Sequence, residues 1–273
     1  MIGIEIGAAI LAGLLIGSFL NVCVFRLPRD LSVMRPARSF CPSCEKTIVW
    51  YDNIPVASYL ALGGRCRHCK ARISLRYPLV ELATAAAFGV CVAALGWSLA
   101  ALKYSIFSAI LITLIATDIE ERILPDEFTL GGTAIGLVFS AFVPLELGLA
   151  GLVLPVAIGT RWLSVTEAAM GAGVTAGVFW GFGWVFEKVR HREGLGLGDV
   201  KMIAMIGAFL GLRLTLLTLF AASLIGSVVG MIYIFATRKK AAEYELPFGS
   251  FIGAAALVVT MLTEVVSVWL SKK

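Results

Sequence analysis

The sequence predicts an all-α polytopic membrane protein of about eight transmembrane helices, interrupted by a small cytoplasmic zinc-binding insert. Three observations carry that expectation. Hydrophobic residues make up 59% of the 273 residues against 15% charged, and the mean hydropathy is +0.91. The apolar residues lie in continuous runs, several of them past the roughly 18 residues a helix needs to span a bilayer; a transmembrane β-barrel would alternate instead. Between the first and second runs, a polar stretch carries four of the six cysteines as two C-x2-C pairs.

The first run, 7–25, has no basic residue before it and is followed by Arg26 and Arg29. It reads as an uncleaved anchor with its N-terminus outside. The polar segment 26–76 follows. Further runs are 78–95, 99–117, 128–143, 166–186, 200–212, 214–236 and 248–270. Run 200–212 is short and is expected as a tilted or half-length helix packed among the others. Segment 147–160, broken by Pro155, reads as an interfacial or outer loop. The domains expected are 1–25, a first transmembrane helix; 26–76, the four-cysteine insert; and 77–273, a membrane-embedded core.

This map puts eighteen of the 23 Lys and Arg residues on one side, ten of them in 26–76 and three in 238–240. The positive-inside rule then places the insert in the cytoplasm and both termini outside. Counting 147–160 as a span would put Asp118 and Asp199 on opposite sides and weaken the bias. The net charge of +5 is mild; lipid is the expected surroundings, and no nucleic-acid partner is expected.

Cys41, Cys44, Cys66 and Cys69 form two knuckles separated by 21 residues, the pattern of a structural zinc site. Each knuckle turns two sulfurs toward one point, and two knuckles complete a closed tetrahedron. A disulfide framework fits poorly in a cytoplasmic loop, and two matched pairs argue against a redox motif. The insert has few large apolar residues, so metal binding would supply much of its folding energy. Cys23 and Cys91 sit singly in apolar runs and read as small buried hydrophobes.

Asp118 follows the apolar run and opens Asp-Ile-Glu-Glu-Arg-Ile-Leu-Pro-Asp; Asp199 ends Gly196-Leu197-Gly198-Asp199. An ionisable residue at the membrane is costly and raises a functional question. Two facing carboxyls cannot both ionise cheaply; one keeps a proton and the other serves as base, as in an aspartic protease. The plainer reading is helix capping, by Asp199 for run 200–212 and by Asp126 for run 128–143. The two glycines permit close approach of an extended peptide, and Lys201 is near enough in sequence to attract Asp199. Glu120, Glu121, Asp126 and Glu127 form either a solvated turn or a patch that steers a basic peptide.

These motifs together resemble the bacterial type IV prepilin peptidases, also called prepilin leader peptidase/N-methyltransferases, over nearly the whole chain. The resemblance rests on Gly17-Ser18-Phe19-Leu20-Asn21-Val22 with Arg26-Leu27-Pro28, on the two cysteine knuckles with Trp50-Tyr51-Asp52-Asn53-Ile54-Pro55, and on Arg76-Tyr77-Pro78-Leu79-Val80-Glu81. Asp118 with Leu124-Pro125-Asp126, the GxGD motif ending at Asp199, and Pro247-Phe248-Gly249 complete it. It implies a multi-pass plasma-membrane enzyme whose catalytic Asp118 and Asp199 cut the basic leader from type IV prepilins or type II secretion pseudopilins at the cytoplasmic face. It further implies N-methylation of the new N-terminal residue with S-adenosylmethionine. No Gly-rich nucleotide-binding turn of the Rossmann kind is present; Asn21, Glu81 and 50–55 are candidates for the methyl-donor site because they adjoin the insert and match the family. The competing expectations are a GxGD intramembrane protease for other helical substrates and a non-enzymatic transporter or scaffold with a zinc-stabilised loop.

Overall fold

The computed structural model describes residues 2–155, 158–191, 196–237, 247–267 and 270. Among them the chain is helical, with only two isolated β-bridges, both in the insert. The helices are α1 (Ile2–Arg26), α2 (Ala57–Ala61), α3 (Arg76–Leu95), α4 (Leu99–Glu121), α5 (Asp126–Ser140), α6 (Leu149–Val153), α7 (Thr160–Arg190), α8 (Leu197–Thr237) and α9 (Phe248–Thr260, continued as a π-helical turn over Met261–Val266). Six are long and apolar enough to cross a membrane. Their outer surfaces remain apolar, as at Phe182, Phe220 and Phe235, which suits contact with lipid rather than water.

Helix α4 is the axis of the bundle: 72% of its apolar window is buried inside the protein, against 17% for α7. In lipid, apolar side chains gain little by meeting one another, so helices associate through close packing at small residues. Gly13 and Gly17 of α1 lie one turn apart on α3, where an added Cβ would come within 2.6 Å of Ala85 Cα and 2.7 Å of Glu81 Cα. Gly171 of α7 meets the backbone of Gly207 and Gly211 in α8 in the same way. Gly132 and Gly136 of α5 receive Met205 and Phe209.

Helix α8 is broken at Gly211, whose φ of 74° and ψ of 178° are non-helical. The chain reverses there. Gly226 lies against Phe251 while Gly253, half a turn further along α9, lies against Met202; in one straight helix Met202 and Gly226 would be about 36 Å apart. Runs 200–212 and 214–236 are therefore the two arms of a hairpin.

The two faces of the bundle are tied by separate polar contacts. On one face Arg29 pairs with Glu121, Arg76 with Glu120, and Lys201 with Asp126. On the other, the Ser164 hydroxyl donates to the Ser140 carbonyl at 2.6 Å, and the buried Glu167 carboxylate accepts from the N–H groups of Gly148, Ala150 and Leu212. Leu212 is thus at the face opposite Asp199, so the first arm of α8 runs through the body. Among the described residues before α7, segment 147–160 contributes the five-residue α6 on that second face. A count of eight crossings needs α5, with 15 residues, and the first arm of α8 to cross as well, although neither reaches bilayer length alone. The basic cluster expected at 238–240 lies outside the described residues.

Candidate active site

Asp118 lies in the last turn of α4 and is buried, 5% exposed. Asp199 is the third residue of α8 and is half-buried. The start of α9 joins them. A Cβ added to Gly249 would fall 3.2 Å from Asp118 Cγ and 3.1 Å from Asp199 Oδ1, so the two carboxyls are no further apart than the sum of those distances. Only a residue without a side chain fits between them. The first N–H groups of a helix have no partner within it; here the Ser250 N–H donates to Asp118 Oδ2 at 2.5 Å, and the Ser250 hydroxyl donates to the same oxygen at 2.7 Å. Both aspartates therefore stand at helix N-termini, one within α8 and the other across from α9, where the backbone field favours negative charge. Leu124, which an added Cβ on Gly198 or Gly249 would meet at 3.3 and 3.1 Å, packs over the pair from the α4–α5 turn.

The GxGD glycine Gly198 therefore faces Leu124, and Gly196 faces the Asp199 carboxyl. Lys201 does not serve Asp199. It stands two residues on, about 200° around the helix, and its Nζ bonds both oxygens of Asp126 at 2.7 and 2.8 Å. Asp126 is also not the cap of α5: Pro125 holds that place, and Asp126 is in the first turn. Of the four acids near Asp118, three are ion-paired, Glu120 to Arg76, Glu121 to Arg29 and Asp126 to Lys201. That pairing favours a structural turn over a steering patch. Ser250 escaped the sequence reading, although its neighbours Pro247-Phe248-Gly249 were within it; a serine at the third position of a helix carries no signal until its partner is known.

The four knuckle cysteines converge, their sulfurs all within 4.8 Å of one another, and none of the six cysteines is in a disulfide. An ion bound tetrahedrally at about 2.3 Å spaces its sulfurs about 3.8 Å apart; Cys41 and Cys69 Sγ are 3.8 Å apart. The two knuckles share one construction. Cys41 N–H donates to Lys46 O and Cys66 N–H to Ala71 O. The residues after the second cysteines, Glu45 and Lys70, adopt φ of 57° and 60°, and bridges Phe40–Thr47 and Arg65–Arg72 close the two loops. This is a short internal repeat that the sequence reading passed over. The site can hold a metal ion. Cys23 and Cys91 are buried at 3% and 0% exposure, as small apolar residues.

Asn21 and Glu81 are buried on the facing surfaces of α1 and α3, and with Asp52, Asn53 and Ile54 they line one cleft beneath the insert. Asn21, Glu81 and part of 50–55, far apart in sequence, thus border one cleft.

A multi-pass helical protein with two carboxyls clasped at one face, beside a four-thiolate insert, is the class that fold and site define: a membrane-embedded protein with a carboxyl-pair site. Residues 11–95 match the bacterial peptidase A24 N-terminal domain and residues 105–231 the type IV leader peptidase family. The chain belongs to the type IV leader peptidase family. It is 34% identical over 275 residues to the prepilin leader peptidase/N-methyltransferase of Pseudomonas putida, covering 93% of this chain and 89% of that one. To the protein of the same name from Neisseria gonorrhoeae it is 33% identical, covering 96% and 91%. To that of Myxococcus xanthus it is 40% identical over 85% of this chain, which spans 64% of that relative's length. No solved structure matches the chain significantly.

Proposed function

We infer that this chain is a prepilin peptidase and N-methyltransferase: it cuts the leader from type IV prepilins or pseudopilins and methylates the new N-terminal amine. The observation that carries the peptidase half is the clasp of Asp118 and Asp199 about Gly249. One aspartate, as carboxylate, takes a proton from a water held between the pair while the water oxygen attacks the scissile carbonyl carbon. The other, as carboxylic acid, gives its proton to the carbonyl oxygen. Collapse of the tetrahedral intermediate then breaks the C–N bond, and the amine leaves with a proton from the pair. The two titrate as a unit. Ser250 holds the Asp118 carboxyl in orientation, and Leu124 shields the pair from bulk water.

The finer assignments support one another. Segment 26–76 is a zinc domain, with Cys41, Cys44, Cys66 and Cys69 as ligands to a structural ion that has no part at the scissile bond. Residues 1–25 form the first transmembrane helix and 77–273 the peptidase core. Eight crossings with the N-terminus outside would put both the zinc domain and the aspartates at the cytoplasmic face of a bacterial inner membrane, where the basic leader of a prepilin would lie. S-adenosylmethionine is the methyl donor. The position of both aspartates at helix ends favours cleavage at the membrane surface over hydrolysis at mid-bilayer.

The test is incubation of purified protein with a prepilin peptide and S-adenosylmethionine, reading product masses. A shortened peptide, heavier by one methyl group than the cleavage product, is the expected result. An intact peptide, or one cut equally well by Asp118→Asn, would remove the reading.

A further inference from the structure

A cleft lies where the insert meets the membrane helices. Ser18, Asn21 and Phe25 of α1 form one wall and Tyr77 and Glu81 of α3 another; Phe40, Val56 and Tyr59 of the insert close it. It is open at its mouth and lined by both polar and apolar groups. It is distinct from the aspartate pair, yet opens at the same face. Arg29 and Arg76, at the ends of the two helices that form its walls, pair with Glu121 and Glu120, within one turn of Asp118.

Three features mark it as a binding site rather than a packing fault. Asn21 is 2% exposed. Its Nδ2 donates to the carbonyls of Gly17 and Tyr77, but its Oδ1 is buried without a hydrogen-bond partner. A buried acceptor left unpaired is costly and calls for a donor. Val56 is held at φ 58° and ψ −48°, a conformation that a β-branched residue adopts only under strain; the Glu81 carboxylate fixes it by accepting its N–H at 2.7 Å. Backbone strain of this kind concentrates at functional sites. The third feature is charge. Arg26, a cation at the wall, has its guanidinium spent on the carbonyls of Ser32, Val33, Pro36 and Arg38. Asp52 is occupied by Arg67, which donates to both its oxygens at 2.7 and 2.6 Å. That leaves Glu81 as the charge the cleft presents, among four aromatic rings.

We propose that this cleft binds S-adenosylmethionine, with Glu81 facing its cationic part, Asn21 Oδ1 accepting from one of its N–H or O–H groups, and the aromatic wall packing on the adenine. The inference rests on the methyltransferase reading above. The ligand chemistry fits: a sulfonium cation suits an anionic wall without free cations, and a flat base suits aromatic faces. Bound there, the donor would supply a methyl group to the lone pair of the substrate amine, with the C–S bonding pair left on sulfur as a neutral thioether and the amine's proton lost to water. Loss of the positive charge removes the attraction to Glu81 and favours release of the product.

The experiment is equilibrium binding of S-adenosylmethionine and of S-adenosylhomocysteine to the full-length protein in detergent, with photo-crosslinking of the bound donor. Leader cleavage, performed by the separate aspartate pair, reports that each variant is folded. Glu81→Gln should weaken the cationic ligand about ten-fold or more while affecting the neutral thioether far less. Ser18→Phe, which fills the cleft, should weaken both. Crosslinks should map to 18–26, 39–62 or 73–81. Folded Glu81→Gln and Ser18→Phe proteins that bind both ligands as the parent does would overturn the site, as would crosslinks confined to other segments. If a variant misfolds, the crosslink map of the parent protein decides. Failure of the parent to bind either ligand would instead strike the methyltransferase reading itself and remove this inference with it.

Discussion

Two carboxyls, one glycine and one serine make the site, and each has a separate consequence. Asp118→Asn and Asp199→Asn should each reduce leader cleavage by several orders of magnitude in a peptide assay, because residues acting as one unit lose most of their effect when either is removed. Asp126→Asn should change it by no more than about three-fold, since an exposed ion pair such as Asp126–Lys201 contributes roughly 0–1 kcal/mol. The reverse pattern would reassign the first catalytic aspartate. Gly249→Ala should lower cleavage by about 10²-fold, because its Cβ would press on both carboxyls and Leu124. Ser250→Ala should cost about ten-fold by removing one of the two hydrogen bonds that hold the Asp118 carboxyl. A Gly249→Ala enzyme with parental turnover would mean that the clasp is not the working geometry. Both aspartates were legible in the sequence because an acid at the edge of an apolar run is conspicuous. Ser250 and the role of Gly249 were not, because their significance lies in a partner some 130 residues away.

At the scale of elements, the insert and α8 make the clearest claims. The knuckles turn by the same hydrogen bonds and the same positive φ after the second cysteine, so each presents its sulfurs without help from the rest of the chain. Purified protein should contain about one zinc per chain. Replacing any one of Cys41, Cys44, Cys66 or Cys69 by Ser should lower the metal content and make 26–76 sensitive to protease, while Cys23→Ser and Cys91→Ser leave metal content unchanged. Zinc-free protein with four free thiols, or disulfide-linked pairs in fresh preparations, would contradict the metal site. In α8, the break at Gly211 is a hinge that only glycine occupies cheaply, at φ 74°. Gly211→Val should destabilise the hairpin, seen as a lower melting temperature in detergent. The sequence showed two apolar runs on either side of residue 213 but not the reversal between them, since a glycine in an apolar run is as compatible with a close helix contact as with a turn.

For the whole molecule, the contacts between helix ends impose an alternation: the ends of α1 and α4 and the starts of α3, α5, α8 and α9 share the face that carries Asp118. With the aspartate face cytoplasmic, as proposed above, introduced single cysteines on a background without Cys23 and Cys91 should label from the cytoplasm near residue 122 and from outside near residue 97. Labelling of both from the same side would break the topology. Apolar run length, charge bias and cysteine spacing determined by themselves that this is a helical membrane protein, where its four-cysteine insert lies, and that Asp118 and Asp199 stand at the edges of apolar runs. Each of those is a local property, set by the cost of placing a residue in lipid or by the reach of a short loop. Only the tertiary structure decided that Lys201 serves Asp126 rather than Asp199, that Gly249 and Ser250 clasp the carboxyls, and that Asn21, Glu81, Asp52, Asn53, Ile54 and Val56 border one cleft. Those depend on which glycine stripes let which helices approach, a pairing that no single run of residues encodes.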